Sequence, residues 1–151
     1  MLKNIHSSIS EYDRERLKIF VPEEIEGSNN SEQIGADKRI DKFLADPGKQ
    51  VLLILGGSGT GKTLLTLHTF IRLSDKGVVV IHVSLPSLPR GEAGIERKLI
   101  SEIYTKYAIG SGDRNLLKSC AMILILDGYD ETGSTCNLFT LRSRNAKIIV
   151  T

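Results

Sequence analysis

An α/β domain with helices layered on both faces of a parallel sheet (αβα) is the fold class this sequence predicts, on three observations. Residues 51–55 (VLLIL), 77–85 (GVVVIHVSL), 121–126 (AMILIL) and 147–151 (KIIVT) are short runs that stay apolar instead of alternating with polar residues, as strands buried on both faces of a parallel sheet do. Segments with helical spacing of apolar residues lie between them, and strands that alternate with helices imply parallel pairing through right-handed crossovers. Glycine or proline punctuates most of the junctions.

Taken in order, residues 1–35 are polar and weakly periodic and end in the linker-like EGSNNSEQIG, so they are expected to be a lead-in, with one helix over 8–17. The core is expected to span 36–151. From Ala36, the spacing of Ile40, Phe43 and Leu44 predicts a short amphipathic helix that stops at Pro47-Gly48. Residues 51–55 follow as the first strand. Residues 62–74 place Leu64, Leu67 and Ile71 on one stripe before Gly77, which predicts a helix with a glycine stop. After the second strand, Pro86, Pro89 and Gly91 make a loop, and Ile95, Leu99, Ile103 and Tyr107 predict a helix ended by Gly110. The third strand is 121–126 and the fourth 147–151, with a helix expected near 138–144. The sequence stops inside the fourth strand. An interrupted parallel strand should leave backbone groups without partners, so the fold is expected to be C-terminally incomplete, truncated after the fourth strand.

Composition excludes several functions. The chain has 151 residues, 40% of them hydrophobic and 25% charged, which rules out a disordered or collagen-like polymer. A net charge of +2 lacks the basic surplus of a nucleic-acid binder, so direct nucleic-acid binding is not expected. No apolar run exceeds about seven residues, whereas a membrane-spanning helix needs roughly 18, and the N-terminus has no apolar signal core. No membrane partner is expected. Cys120 and Cys136 lack metal-ligand spacing and read as free thiols, so the expected location is cytoplasmic.

The chemistry lies between the first strand and its helix. Gly56, Gly57, Ser58, Gly59, Thr60, Gly61, Lys62 and Thr63 spell GGSGTGKT, which meets GxxxxGK[ST] in the strand–loop–helix context that the motif requires. Glycines accept backbone angles closed to other residues, so successive N–H groups can converge on an anion at the positive end of the next helix. Lys62 is expected on the β- and γ-phosphates, and the Thr63 hydroxyl on Mg²⁺, a hard ion that takes oxygen ligands. The expected ligand is therefore a nucleotide with magnesium.

The third strand runs into LDGYDE. Asp127 ends it, with Asp130 and Glu131 close behind. Ligands of open parallel sheets sit at the carboxyl ends of strands, so Asp127 and Gly56 should open onto one crevice. Asp127 fits a magnesium-serving carboxylate, acting directly or through water, while either Asp130 or Glu131 can orient or deprotonate an attacking water. Three carboxylates within five residues repel one another unless a cation lies among them, which favours a metal site.

Together, GGSGTGKT, the strand end VSLPSL at 83–88, LILDGYDE at 124–131 and AKIIVT at 146–151 resemble the NACHT domains of the STAND class of signalling P-loop NTPases. The D-G-x-D-E form is the discriminating piece, and the resemblance covers roughly residues 50–151. It implies that residues 56–63 bind phosphates and magnesium and that Asp127 serves the metal. It also implies that Asp130 and Glu131 support ATP hydrolysis and that Thr151 is a sensor for the γ-phosphate. The strand leading to Thr151 is expected to lie between the P-loop strand and the Asp127 strand. Such domains prefer ATP, cycle slowly between an ADP and an ATP state, and assemble through flanking regions. Self-association or signalling partners are therefore expected through segments outside this chain. The arginine that usually follows the sensor threonine is not within the sequence.

Other classes fit less well. A GTPase should carry DxxG after the third strand and an NKxD guanine reader, whereas this chain has DGYD and Asn145-Ala-Lys147. A small-molecule kinase needs an acceptor site and lid that the sequence does not display. A degenerate domain that binds nucleotide or a protein partner without turnover is the alternative that stays open. His68 falls on the stripe of the 62–74 helix and His82 on the second strand, and both are expected to be packing residues, as is His6 in the lead-in. Arg90, Arg142 and Arg144 are expected to be solvated surface groups, with reaching a neighbour's phosphates as the other option. Residues 19–27 (IFVPEEIEG) read as an edge segment, with a cover for adenine as what the family resemblance implies.

Overall fold

The computed structural model describes residues 11–18, 24–25, 34–88, 98, 99, 101, 103, 105, 121–132 and 146–151. The helix expected near 138–144, the loop at 89–91, Ile95, Tyr107, Gly110, the three candidate arginines, both cysteines and His6 lie outside them.

The helix expected over 8–17 is α1 (Glu11–Lys18) within the described residues, and Leu17 packs toward the core shared with α3. Two short strands, β1 (Glu24–Ile25) and β2 (Ile34–Gly35), pair antiparallel, and β2 leads straight into α2 (Ala36–Ala45). Ala36, Ile40 and Phe43 of α2 are buried as its spacing predicts. Beyond α2, Asp46 Oδ1 accepts the Gly48 N–H at 2.9 Å. That hydrogen bond, helped by the Lys49 ammonium, holds the Asp46 carboxyl below its usual range.

The main sheet contains β3 (Val51–Leu53), β4 (Val80–Ser84), β5 (Met122–Asp127) and β6 (Ala146–Val150). All pairs are parallel and the order is β3-β6-β5-β4. The strand latest in sequence thus sits inside the sheet, between β3 and β5, as the family resemblance implies. Helix α3 (Lys62–Asp75) follows β3, and a 3₁₀ turn, Leu85–Ser87, follows β4.

Side chains of a strand point alternately to its two faces, so the central apolar strands feed two cores. Ile123, Ile125 and Ile149 pack with α2 and with Leu65, Leu67, Phe70 and Leu73 of α3. Leu124, Leu126, Ile148 and Val150 pack on the opposite face with Ile81, Val83 and the helical residues Leu99 and Ile103. The fold is α/β with helical residues against both faces of an all-parallel sheet, compatible with three layers. No helix among the described residues is long and apolar enough to cross a membrane.

Three packing expectations need correction. The run 51–55 is not buried on both faces: Leu53 is 55% and Leu55 81% exposed, and only Ile54 is buried. The physical reason is position: the strand ends at Leu53 instead of residue 55, so Leu55 lies in the loop beyond it, and β3 is an outer strand of this sheet that lacks the enclosure β5 and β6 share. In α3, Leu64 and Ile71 are only half-buried, whereas Thr66, Thr69, Phe70 and Leu73 face inward, so the buried stripe is rotated from the expected one. Two threonines in that stripe hid it from a reading of apolar spacing. His68 is not a core residue either; it is half-buried, and its Nε2 lies 3.1 Å from Asp37 Oδ2 of α2. His82, by contrast, is buried as expected, 3.2 Å from the Thr66 hydroxyl and tilted against Phe70.

Lys147 was not anticipated by sequence. Its ammonium donates to the carbonyls of Phe43 (3.0 Å), Asp46 (2.6 Å) and Lys49 (2.8 Å) and lies over the Phe43 ring. A cation at a helix C-terminus satisfies carbonyls that have no partner within the helix and complements the helix dipole. The start of β6 is thereby tied to the end of α2.

Candidate functional site

Strand β3 pairs with β6 through Ile54, whose N–H donates to Val150 at 2.8 Å, and the chain then leaves the sheet. Residues 56–61 curl tightly. Thr60 folds back so that its hydroxyl donates to the Gly57 carbonyl at 2.9 Å, and a Cβ added at Gly56 would stand 2.7 Å from that hydroxyl oxygen. Gly59 and Gly61 have φ of 81° and 82°, the left-handed region where glycine carries no steric penalty. Gly61 is the N-cap of α3 with no side-chain cap, and the first turn holds no acidic residue. The N-terminal end of α3 thus retains the positive character that favours an anion.

Lys62 is the first residue of α3, and its side chain turns back over this loop. Its ammonium donates to the carbonyls of Gly56 (2.5 Å) and Gly57 (3.1 Å) and lies 3.4 Å from Asp130 Oδ2. Thr63, beside it, is exposed.

The ends of β5 and β6 are organised differently. Asp127 and Thr151 are buried, and the Thr151 hydroxyl donates to Asp127 Oδ1 at 2.7 Å while accepting the Gly128 N–H at 3.3 Å. The Thr151 N–H donates to Leu126 at 3.0 Å, and its carbonyl accepts the Tyr129 N–H at 2.6 Å. Both backbone groups of Thr151 therefore have partners. The chain turns at Gly128, with φ of 79°, and a Cβ there would come within 2.9 Å of the Pro86 ring. A short turn follows, with Glu131 N–H to Gly128 at 3.2 Å and Thr132 N–H to Tyr129 at 3.2 Å. Asp130 and Glu131 both lie exposed on it.

The loop after β3 and the turn after β5 therefore meet at the carboxyl ends of their strands, and Lys62 and Asp130 close the distance between them. Asp127, at the end of β5, is buried and held by Thr151. One argument for a metal is corrected: the three carboxylates do not crowd together. Among the described residues no three His, Cys, Asp or Glu side chains converge as metal ligands. Asp127 is bonded to the Thr151 hydroxyl and Asp130 is paired with Lys62, so hydrogen bonding and a protein cation already offset their repulsion.

Sequence reasoning missed the Gly128–Pro86 contact, although a glycine directly after a strand-ending aspartate is a signal for positive φ. It also missed that the Thr151 hydroxyl is engaged with Asp127. Nothing in local spacing reveals that bond, because it depends on β6 lying beside β5.

No protein-family model and no curated protein matches the chain.

Proposed function

We propose that this chain is a NACHT-like P-loop domain that binds ATP with Mg²⁺, hydrolyses it slowly, and uses the nucleotide state to control assembly through regions outside the chain. The observation that carries the proposal is the approach of Lys62, on a glycine-built anion loop, to the acidic turn that follows a buried strand-ending aspartate. A generic glycine turn with a solvated lysine does not explain that approach.

The residues suit the ligand. The space over Gly56 is so restricted that a methyl group there would strike Thr60, as expected of a loop whose backbone forms the binding surface. The uncapped end of α3 suits a phosphate, and Lys62 supplies the compact charge. Thr63 and Asp127 would hold magnesium with hard oxygen donors. Such an ion takes one or two protein carboxylates and completes its shell with phosphate and water, so no larger acidic cluster is required. Bound magnesium would neutralise charge on the phosphates. Thr151 holds the Asp127 carboxylate in a fixed orientation, and Asp130 or Glu131 would orient the attacking water and accept its proton.

Binding without turnover is the second reading. It is favoured by the pairing of Asp130 with Lys62, which commits one of the two candidate bases to a lysine.

The test is titration of the folded chain with ATP and ADP, with GTP as competitor, followed by single-turnover hydrolysis. Lys62→Ala should weaken ATP binding by about 2–5 kcal/mol, the usual cost of removing one partner of a desolvated charge pair. Glu131→Gln should slow hydrolysis more than it changes binding. Equal binding losses in both variants, or no ATP binding by the parent chain, would overturn the assignment.

A further inference from the structure

We infer that Asp130 is an internal counter-ion of Lys62 that competes with incoming phosphate for its ammonium, and that phosphate binding releases the Asp130 carboxylate. This deepens the proposed nucleotide reading and rests on it.

A lysine ammonium has three N–H donors. Around Lys62 stand three acceptors, the carbonyls of Gly56 and Gly57 and Asp130 Oδ2, at 2.5, 3.1 and 3.4 Å. The Lys62 side chain is only 14% exposed, so a phosphate oxygen reaches the ammonium by displacing one of these partners. The two carbonyls belong to the loop itself, and the one at Gly57 also accepts from the Thr60 hydroxyl. Asp130 is the different one: its side chain is 57% exposed on a turn held by backbone bonds, and it has the longest of the three distances. It is also the only acceptor of the three with a full negative charge, which repels a polyphosphate. Displacement therefore falls on Asp130. Once displaced, the carboxylate stands beside the phosphate tail and can accept a proton from water. Occupation of Lys62 by phosphate and release of the base become one event.

The inference reverses the usual expectation for a site acid, because removing the charge should improve binding. The probes are ADP and adenosine, titrated calorimetrically against the parent chain and Asp130→Asn in EDTA, where ligation of a divalent ion contributes nothing. Partly exposed ion pairs are worth roughly 0.2–1 kcal/mol, so Asp130→Asn should bind ADP about 1.5- to 5-fold more tightly. Adenosine, which has no phosphate to reach Lys62, should bind both proteins equally. The ADP gain should shrink as salt is raised, since screening weakens the competing pair. ADP binding by Asp130→Asn that is unchanged or weaker in EDTA overturns the counter-ion role while leaving nucleotide binding intact. Equal tightening for ADP and adenosine also overturns it, by locating the effect away from the phosphates. A parent chain that binds neither ADP nor ATP overturns both this inference and the reading beneath it.

Discussion

The two halves of the candidate site are held by different means. The loop at 56–63, exposed except at Gly61 and Lys62, is stabilised over short sequence separations: Thr60 to Gly57, and Lys62 to Gly56 and Gly57. The ends of β5 and β6 are buried and joined over long ones, with Thr151 bonded to Asp127 and to Gly128. A charge that must exchange partners sits in the first region, where water can take over part of its solvation. A carboxylate that must keep one orientation sits in the second, where leaving its partner unmade is costly. Side-chain truncations in the loop, away from its glycines, should therefore alter ligand binding with little effect on folding. Those at the strand ends should alter both.

The largest expected effect on stability is at Gly128. Gly128→Ala combines a left-handed backbone with a 2.9 Å approach to Pro86, and should cost roughly 2–4 kcal/mol from conformational strain and overpacking together. Denaturant unfolding monitored by circular dichroism reads this directly, and a loss under about 0.5 kcal/mol would show that the turn is not a fixed part of the fold. Next is Thr151→Val, which keeps the shape but removes the hydroxyl from Asp127. A hydrogen bond to a charged group is worth about 1.5–3 kcal/mol, and the same unfolding measurement should show a loss of that size. The smallest is Lys62→Ala, whose stability should fall by less than about 1.5 kcal/mol, because the Gly56 and Gly57 carbonyls it releases belong to exposed residues that water can reach and its Asp130 partner is exposed. If it unfolds as readily as Gly128→Ala, the contrast between the two regions is wrong.

Much of this was legible from sequence because it depends on local chemistry. The boundaries of α2 and α3 followed from apolar spacing with Pro47-Gly48 and Gly77 as stops, and β5 from an unbroken apolar run ending at Asp127. The eight-residue loop was readable because its glycines are needed for backbone shape whatever surrounds them. What could not be read depends on neighbours far along the chain. Leu53 and Leu55 look like core residues until β3 is seen at the side of the sheet and to end before Leu55. Thr66 and Thr69 look like surface residues until α3 is packed on it. Lys147 resembles any solvated lysine until the end of α2 is brought within its reach. The partners of Asp127 and Asp130 belong to the same class, since each is fixed by strand order rather than by spacing.

The placement of β6 has a consequence for synthesis. Translation delivers β3, β4 and β5 before the strand that belongs between β3 and β5 exists. Until β6 is made, the edges of β3 and β5 that it joins lack the strand that pairs with both of them. A nascent chain stalled in this interval would be a natural client for a chaperone that shields strand edges, and the closing step must await the arrival of β6.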